Sequence, residues 1–251
     1  MKDEKNMEHE KEMGYLDHLS ELRNRLLWSA LIFLIFFVLG FFLEDKVRSF
    51  FLSHVDFTLN LISPEEILWV IITIAFIIAI IGTLPFLCIQ LWLFVRPGLT
   101  KHEQRVSLIY IPAIFFLFVG GLAFGYFIFI KMILPFVISL NDGMFDTIFT
   151  VERYFRFIFK ITIPFAVFFE LPLIVMFLTS LNLVTPQFLR KTRKYAYFIL
   201  VIIGTMLSPP DFIVQFVVII PLIILYEISI MMSYTVYRKK QRKHREYMDK
   251  N

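Results

Sequence analysis

The chain has 251 residues, of which 58% are hydrophobic and 18% aromatic, including 31 Phe, and its mean hydropathy is +0.73. That apolar content exceeds what a soluble domain carries and comes in uninterrupted runs, which excludes a soluble enzyme and indicates a multi-span membrane protein. The formal net charge of +4 lies mostly in the C-terminal tail, and a single cysteine leaves no disulfide framework and no thiolate metal cluster.

A bilayer core of about 30 Å takes about 20 apolar residues as helix. A charged segment, residues 1–25, comes first and holds seven acids. The run Leu26 to Leu43 follows; no small-residue cleavage site comes after it, so it reads as a permanent anchor rather than a signal peptide. The second run is Ile67 to Val95, opened by Ser63-Pro64-Glu65-Glu66, with Pro at the first helical position. Ser107 to Ile130 is the third, and its Gly121-x-x-x-Gly125 spacing suits close helix packing. Ile161 to Leu181 is the fourth, with Glu170 and Pro172 near its middle. Thr185-Pro186 opens a short basic helix before the fifth run, Tyr195 to Leu207, and a tight "SPPD" hairpin leads to the sixth, Phe212 to Met232. Apolar residues fall short of the hydrocarbon thickness in the fifth run and in the sixth up to Glu227, so this pair is expected to thin the bilayer or be covered by a partner.

The expected fold is therefore an all-α polytopic membrane protein of six transmembrane helices, with helices five and six short. One integral membrane domain is expected over residues 1–251: an N-terminal segment 1–25, a six-helix region 26–232 and a basic tail 233–251. Orientation follows from Lys and Arg, of which 19 lie in the two ends and alternate gaps and 6 in the others. The positive-inside rule then puts both termini and the "RPGLTKHEQR" gap in the cytoplasm. The tail "YRKKQRKHR" suits topology and anionic lipid rather than nucleic acid.

Enzyme chemistry finds no support. His102-Glu103 starts an H-E-x-x-H pattern, but Val106 stands where the second His is needed, and neither a phosphate-binding Gly-rich loop nor G-x-S-x-G occurs. No cofactor is expected. The chemistry that remains is polar residues at membrane depth. Glu170 lies within "FAVFFELPLIV", where exposure to lipid would cost about 2.5 to 3.5 kcal/mol, so it faces protein or water or carries a proton. Pro172 removes a donor and strains the Phe168 carbonyl, favouring a kink beside the acid. A purely structural role, a neutral Glu bonded to backbone or a neighbouring helix, stays open. Gln90 and Gln215 read as helix–helix contacts.

Four segments, "HLSELRNRL" (His18 to Leu26), "FVRPGLTKHEQR" (Phe94 to Arg105), "FELP" (Phe169 to Pro172) and "SPPDFIVQ" (Ser208 to Gln215), occur in order along nearly the whole chain. Together they resemble the signature segments of TatC, the receptor of the twin-arginine protein translocase. Arg96, where the family usually has a small or apolar residue, and Lys131, near the end of the third helix, depart from the pattern. The resemblance implies a receptor in a bacterial-type plasma membrane for signal peptides bearing consecutive arginines. It further implies export of folded cargo with TatA-type, and optionally TatB-type, single-span subunits, self-association, and use of the proton motive force. Glu103 and Glu21 would contact the arginine pair, with Arg23, Phe94, Leu99, Lys101 and Arg105 shaping the patch. Glu170 would be a polar point that engages a TatA-type helix, and Thr205, Asp211 and Gln215 would belong to a partner-facing hairpin.

Bland readings stand beside these. Glu21 is spaced i, i+4 from Arg25 and suits a surface ion pair. Thr100-Lys101-His102-Glu103 fits a capping box, in which the glutamate reaches back to the Thr100 donor. A proton-coupled small-solute transporter using Glu170 is the alternative function, although no internal repeat supports it.

Overall fold

The structure is a computed structural model that describes residues 2–55, 57–96, 110–140, 149–181, 183–208 and 211–248. These residues are almost wholly helical. Helix α1 spans Lys2–Leu52 and α2 spans Pro64–Val95. Helix α3, Tyr110–Ile128, continues through a π-helical turn, Phe129–Ile133, into α4, Leu134–Ser139. Helices α5, Val151–Phe169, and α6, Leu171–Ser180, are followed by the short α7, Pro186–Lys191. Helices α8, Arg193–Leu207, and α9, Phe212–Met248, complete the order.

Five stretches among the described residues are long and apolar enough to cross a membrane: Ser20–Leu52, Pro64–Phe94, Ile111–Ser139, Val151–Ser180 and Phe212–Arg242. The run expected as a fifth crossing forms α8, which is not among these five; its 15 residues span about 22 Å at 1.5 Å per residue. It is short, as its sequence implied.

Several boundaries differ from the sequence expectation, each for a local reason. Charged residues extend α1 on both sides of its apolar run, because i, i+4 partners such as Glu21–Arg25 and Glu44–Arg48 satisfy one another along the helix. Lys131 does not end the third crossing. Pro135 lacks a donor and its ring crowds the Lys131 carbonyl four residues back, and the helix answers with the π-helical turn and runs on to Ser139. The fourth crossing starts at Val151, ten residues before Ile161, where the Thr150 hydroxyl accepts from the Arg153 amide at 3.3 Å. The sixth helix is not short: Glu227 lies inside it, held by Arg193 and Tyr197, and α9 passes through without a break. The expected cap at Thr185 is present, its hydroxyl accepting from the Phe188 amide at 3.3 Å.

By packing, the chain forms two compact units, residues 1–48 with 72–111, and residues 49–71 with 112–251. In the first, α1 and α2 approach so closely that a Cβ on Gly40 would stand 2.7 Å from the Ala75 Cα. Phe33 meets Phe76 edge to face at 5.4 Å. Lipid is as apolar as leucine, so small residues that admit dispersion contact, rather than water exclusion, hold such a pair together.

In the second unit, Gly121 and Gly125 of α3 lie against α5; added Cβ atoms would be 2.6 Å from the Ala166 Cα and 2.8 Å from the Thr162 Cα. The glycine spacing is thus a packing surface. The centre is built from Phe155, Ile158, Ile161 and Phe165 of α5 together with Val214, Val218, Leu222 and Ile230 of α9, all essentially inaccessible. Helix α9 packs chiefly on α6, and also on α8 and α7. Thr179 and Ser233 share a buried hydroxyl–hydroxyl hydrogen bond of 2.7 Å between α6 and α9. The segment before α2 is tied to the segment before α5 by a parallel bridge, Asn60 to Thr150: the Asn60 amide donates to the Phe149 carbonyl at 2.8 Å and the Val151 amide to the Asn60 carbonyl at 3.1 Å. Phe57 stacks on Phe149 at 4.4 Å beside it.

Candidate functional site

The α1–α2 pair presents the first group of expected residues. Glu21 and Arg25 face the same side of α1 one turn apart, and Glu21 Oε1 accepts from both Arg25 Nε, at 3.1 Å, and Arg25 Nη2. The third guanidinium corner, Nη1, donates to Gln90 Oε1 of α2 at 3.4 Å. The ion pair considered from spacing is therefore present, and Arg25 also links the two helices. Ser29 reinforces the turn by donating to the Arg25 carbonyl at 3.0 Å. Phe94 stands one turn beyond Gln90 on α2 and is half-buried, while Arg23 is exposed. Arg96 packs over the Trp92 ring at 5.4 Å, so this departure from the family pattern has an aromatic partner.

Glu21 thus shares one end of the pair with Gln90 and, a turn on, Phe94. Leu99, Lys101, Glu103 and Arg105, with Thr100 of the possible cap, lie outside the described residues. Glu21 is a carboxylate 41% exposed and paired with Arg25 one turn along its own helix. An incoming guanidinium can compete for such a group with bidentate geometry.

Glu170 is placed where the helix breaks. Between α5 and α6 its amide donates to the Val167 carbonyl at 3.1 Å, and its own carbonyl accepts from Leu173 at 3.0 Å and Ile174 at 2.9 Å. Pro172, two residues on, has no donor to continue the ladder, which is the interruption its position implied. The side chain is 8% exposed, and neither carboxylate oxygen has a hydrogen-bond partner. The structural role considered above, a carboxyl bonded to freed backbone or to a neighbouring helix, is not what the structure holds. Thr162, two turns earlier on α5, likewise keeps a buried hydroxyl without a partner.

The third group sits at the α8–α9 hairpin. Asp211 caps α9, its Oδ1 accepting from the Ile213 amide at 2.8 Å and the Val214 amide at 3.3 Å. Thr205 is exposed, and its hydroxyl donates back to the Val201 carbonyl at 2.8 Å. Gln215 is half-buried on the first turn of α9. Gly204 lets the two helices close: a Cβ there would stand 2.5 Å from Ile219 Cγ1. Around these residues Met206, Phe212, Ile213 and Phe216 are all more than half exposed, so the hairpin offers a broad apolar face carrying a few polar points.

Sequence reasoning missed the clamp that holds this hairpin. Glu227 accepts from Arg193 Nη2 at 2.5 Å through Oε2 and from the Tyr197 hydroxyl through Oε1, joining α8 to α9. Arg193 and Tyr197 are spaced i, i+4, a signal present in the sequence; Glu227 reads there only as a boundary. No group of His, Cys, Asp and Glu that could hold a metal occurs among the described residues.

Comparison with known proteins places this geometry in context. The sequence model of the family described as Sec-independent protein translocase protein (TatC) matches residues 17–221. The chain is similar to the Sec-independent protein translocase protein TatCd of Bacillus subtilis, 42% identical over 232 residues that cover 92% of this chain and 96% of the relative. It is also similar to the Sec-independent protein translocase protein TatC of Halalkalibacterium halodurans, 41% identical over 237 residues, covering 93% of this chain and 94% of the relative. Among solved structures it resembles a crystal structure of the twin-arginine translocase receptor TatC, with a TM-score of 0.76 and 31% identity over 87% of this chain and 99% of that one.

Proposed function

The chain belongs to the TatC family of Sec-independent protein translocase proteins, and on that footing we propose that it is the membrane receptor for signal peptides bearing consecutive arginines. It is a multi-pass membrane protein, and its relatives are named as translocase components rather than as enzymes. In our reading it works in a bacterial-type plasma membrane with both termini in the cytoplasm. There it captures the signal peptide of folded cargo and recruits TatA-type, and where present TatB-type, subunits to export that cargo with the proton motive force.

The observation that carries the reading is the likeness in fold, over most of both chains, to a solved twin-arginine translocase receptor. The described residues support it chemically. Glu21 is an accessible carboxylate already paired with an arginine, the kind of contact that a second arginine can take over. Glu103 is the other acid assigned to the peptide, with Arg23, Phe94, Leu99, Lys101 and Arg105 around the pair. Glu170, buried at a helix break with no protein partner for its carboxylate, is reserved for a later step in which a polar group of a single-span partner satisfies it. Thr205 and Gln215 present the partner-facing hairpin, while Asp211 acts by capping the start of α9.

The test is binding of purified full-length protein, in lipid nanodiscs, to a labelled signal peptide with a twin-arginine pair or with the same pair changed to lysine. Arginine offers carboxylates two parallel donors where lysine offers a point charge, so the lysine peptide should bind at least about tenfold more weakly. Equal binding of the two peptides overturns the receptor reading. Uptake of a small solute by this chain alone in vesicles would replace it with the proton-coupled transporter.

A further inference from the structure

We propose that Arg190 and Arg238, gathered on the ring of Tyr234, form a binding site for the phosphate of an anionic phospholipid headgroup. The Arg238 guanidinium carbon lies 4.4 Å from the centre of the Tyr234 ring and that of Arg190 lies 5.4 Å from it. Tyr234 and Arg238 are one turn apart on α9, but Arg190 comes from α7, so the convergence is tertiary and not a by-product of a basic helix face.

The frame around the ring is fixed. The Tyr226 hydroxyl donates to the Leu189 carbonyl at 2.9 Å, holding α7 against α9 at the residue before Arg190. Lys240 donates to the Ser180 carbonyl at 2.8 Å, tying the end of α6 to α9 on the other side of Tyr234. Among the described residues, no ion pair joins either arginine to a carboxylate. Glu227, two turns before Tyr234 on α9, is already taken by Arg193 and Tyr197. Two like charges brought to one aromatic ring repel, and an anion between them converts that repulsion into two charge-assisted contacts.

Location chooses the anion. At this level α9 passes from its apolar stretch to the basic sequence Arg238-Lys239-Lys240, and Tyr234 is an interfacial residue type. Just on the apolar side, Met231 and Phe188 are 68% and 58% exposed, surfaces suited to acyl chains running from a headgroup held at Tyr234. An anionic lipid is already present there at high local concentration, and arginine matches phosphate with paired donors.

The experiment titrates purified full-length protein in neutral detergent with phosphatidylglycerol or phosphatidylcholine and counts retained lipids by native mass spectrometry. Arg190→Gln with Arg238→Gln should lower phosphatidylglycerol retention about tenfold, whereas Lys239→Gln with Arg242→Gln, the same loss of charge on exposed positions nearby, should change it less than about twofold. Equal losses in the two variants, or none in the first, overturn the site. A photoactivatable phosphatidylglycerol on the unaltered protein should label residues 186–191 and 231–238, and labelling confined to other segments overturns it without reference to any variant. Displacement of the lipid by a soluble poly-glutamate at equal concentration would reassign the arginines to an acidic protein partner and also overturn it.

Discussion

Arg25 offers the sharpest test of the peptide-binding reading, because it already occupies the carboxylate that the ligand is proposed to use. Two of its donors rest on Glu21 Oε1 and a third reaches Gln90 at 3.4 Å. The side chains are 21% and 41% exposed, so the pair is partly screened. An i, i+4 pair of this kind contributes about 0.3 to 0.5 kcal/mol, and two donors on one oxygen raise the ceiling to about 1 kcal/mol. A ligand guanidinium that displaces Arg25 forgoes that amount. Arg25→Gln should therefore strengthen binding of a twin-arginine peptide by about two- to fivefold, at 1.4 kcal/mol per decade. Removing a cation near a cationic ligand acts in the same direction and adds a component that fades with salt. The bond to Gln90 is long, so its loss should leave α1 on α2. The assay is fluorescence anisotropy of a labelled peptide with nanodisc-embedded protein at low and high salt, with Glu21→Gln, which should weaken binding, as the opposing variant. If Arg25→Gln folds normally yet weakens binding, or if Glu21→Gln binds like the parent, the ion pair is purely structural and Glu21 is not a ligand.

Glu103→Gln should keep assembly intact, since Gln also serves a capping box, yet weaken peptide binding by about 1.5 to 3 kcal/mol, while Thr100→Ala should cost about 1 kcal/mol of stability with milder loss of binding; anisotropy and thermal melts separate the two. Glu170→Leu removes two buried oxygens that have no partner, so the melting temperature should hold or rise while peptide binding persists and export in cells fails; lost peptide binding would contradict this division of labour. Gly121→Val places a side chain on the Ala166 Cα at 2.6 Å and should lower stability in detergent by about 1 to 3 kcal/mol, measured by thermal unfolding against Gly120→Val, whose site is open. Cysteines at Thr205 or Gln215 should crosslink to a single-span partner helix, and crosslinks found only on α1 and α3 would move the partner site.

The helical architecture was legible because apolar runs and caps are local signals. Pro64, Thr185 and the Gly121–Gly125 pair all do what their positions imply. Boundaries failed where a charge inside a crossing is satisfied from far along the chain. Residues Glu152 to Lys160 lie before the apolar run that starts at Ile161, yet the Glu152 amide donates to Glu66 at 3.5 Å and Arg156 lies 4.5 Å over the Trp69 ring, so α5 extends through them. Glu227 misled in the same way, its partners Arg193 and Tyr197 lying on another helix. At the candidate site the sequence supplies Glu21 and its Arg25 partner, but not the reach of Arg25 to Gln90, because that depends on how α2 lies against α1. Glu170 is the converse case. Its isolation among apolar residues was visible in the sequence, whereas the absence of any bond to its carboxylate is visible only in three dimensions.

The bridge between Asn60 and Thr150 bears on how the protein is made. Its two stretches of backbone are separated by the whole of α2, α3 and α4, two membrane segments, so this pairing cannot form until Thr150 has been synthesised. Until then the amide and carbonyl of Asn60 are served by water, and the early hairpin is held by its helices alone. Once the bridge and the Phe57–Phe149 contact form, the intervening segments lie in a loop whose two ends are held together. The pairing thus couples the start of α2 to the start of α5 only after everything between them has been made.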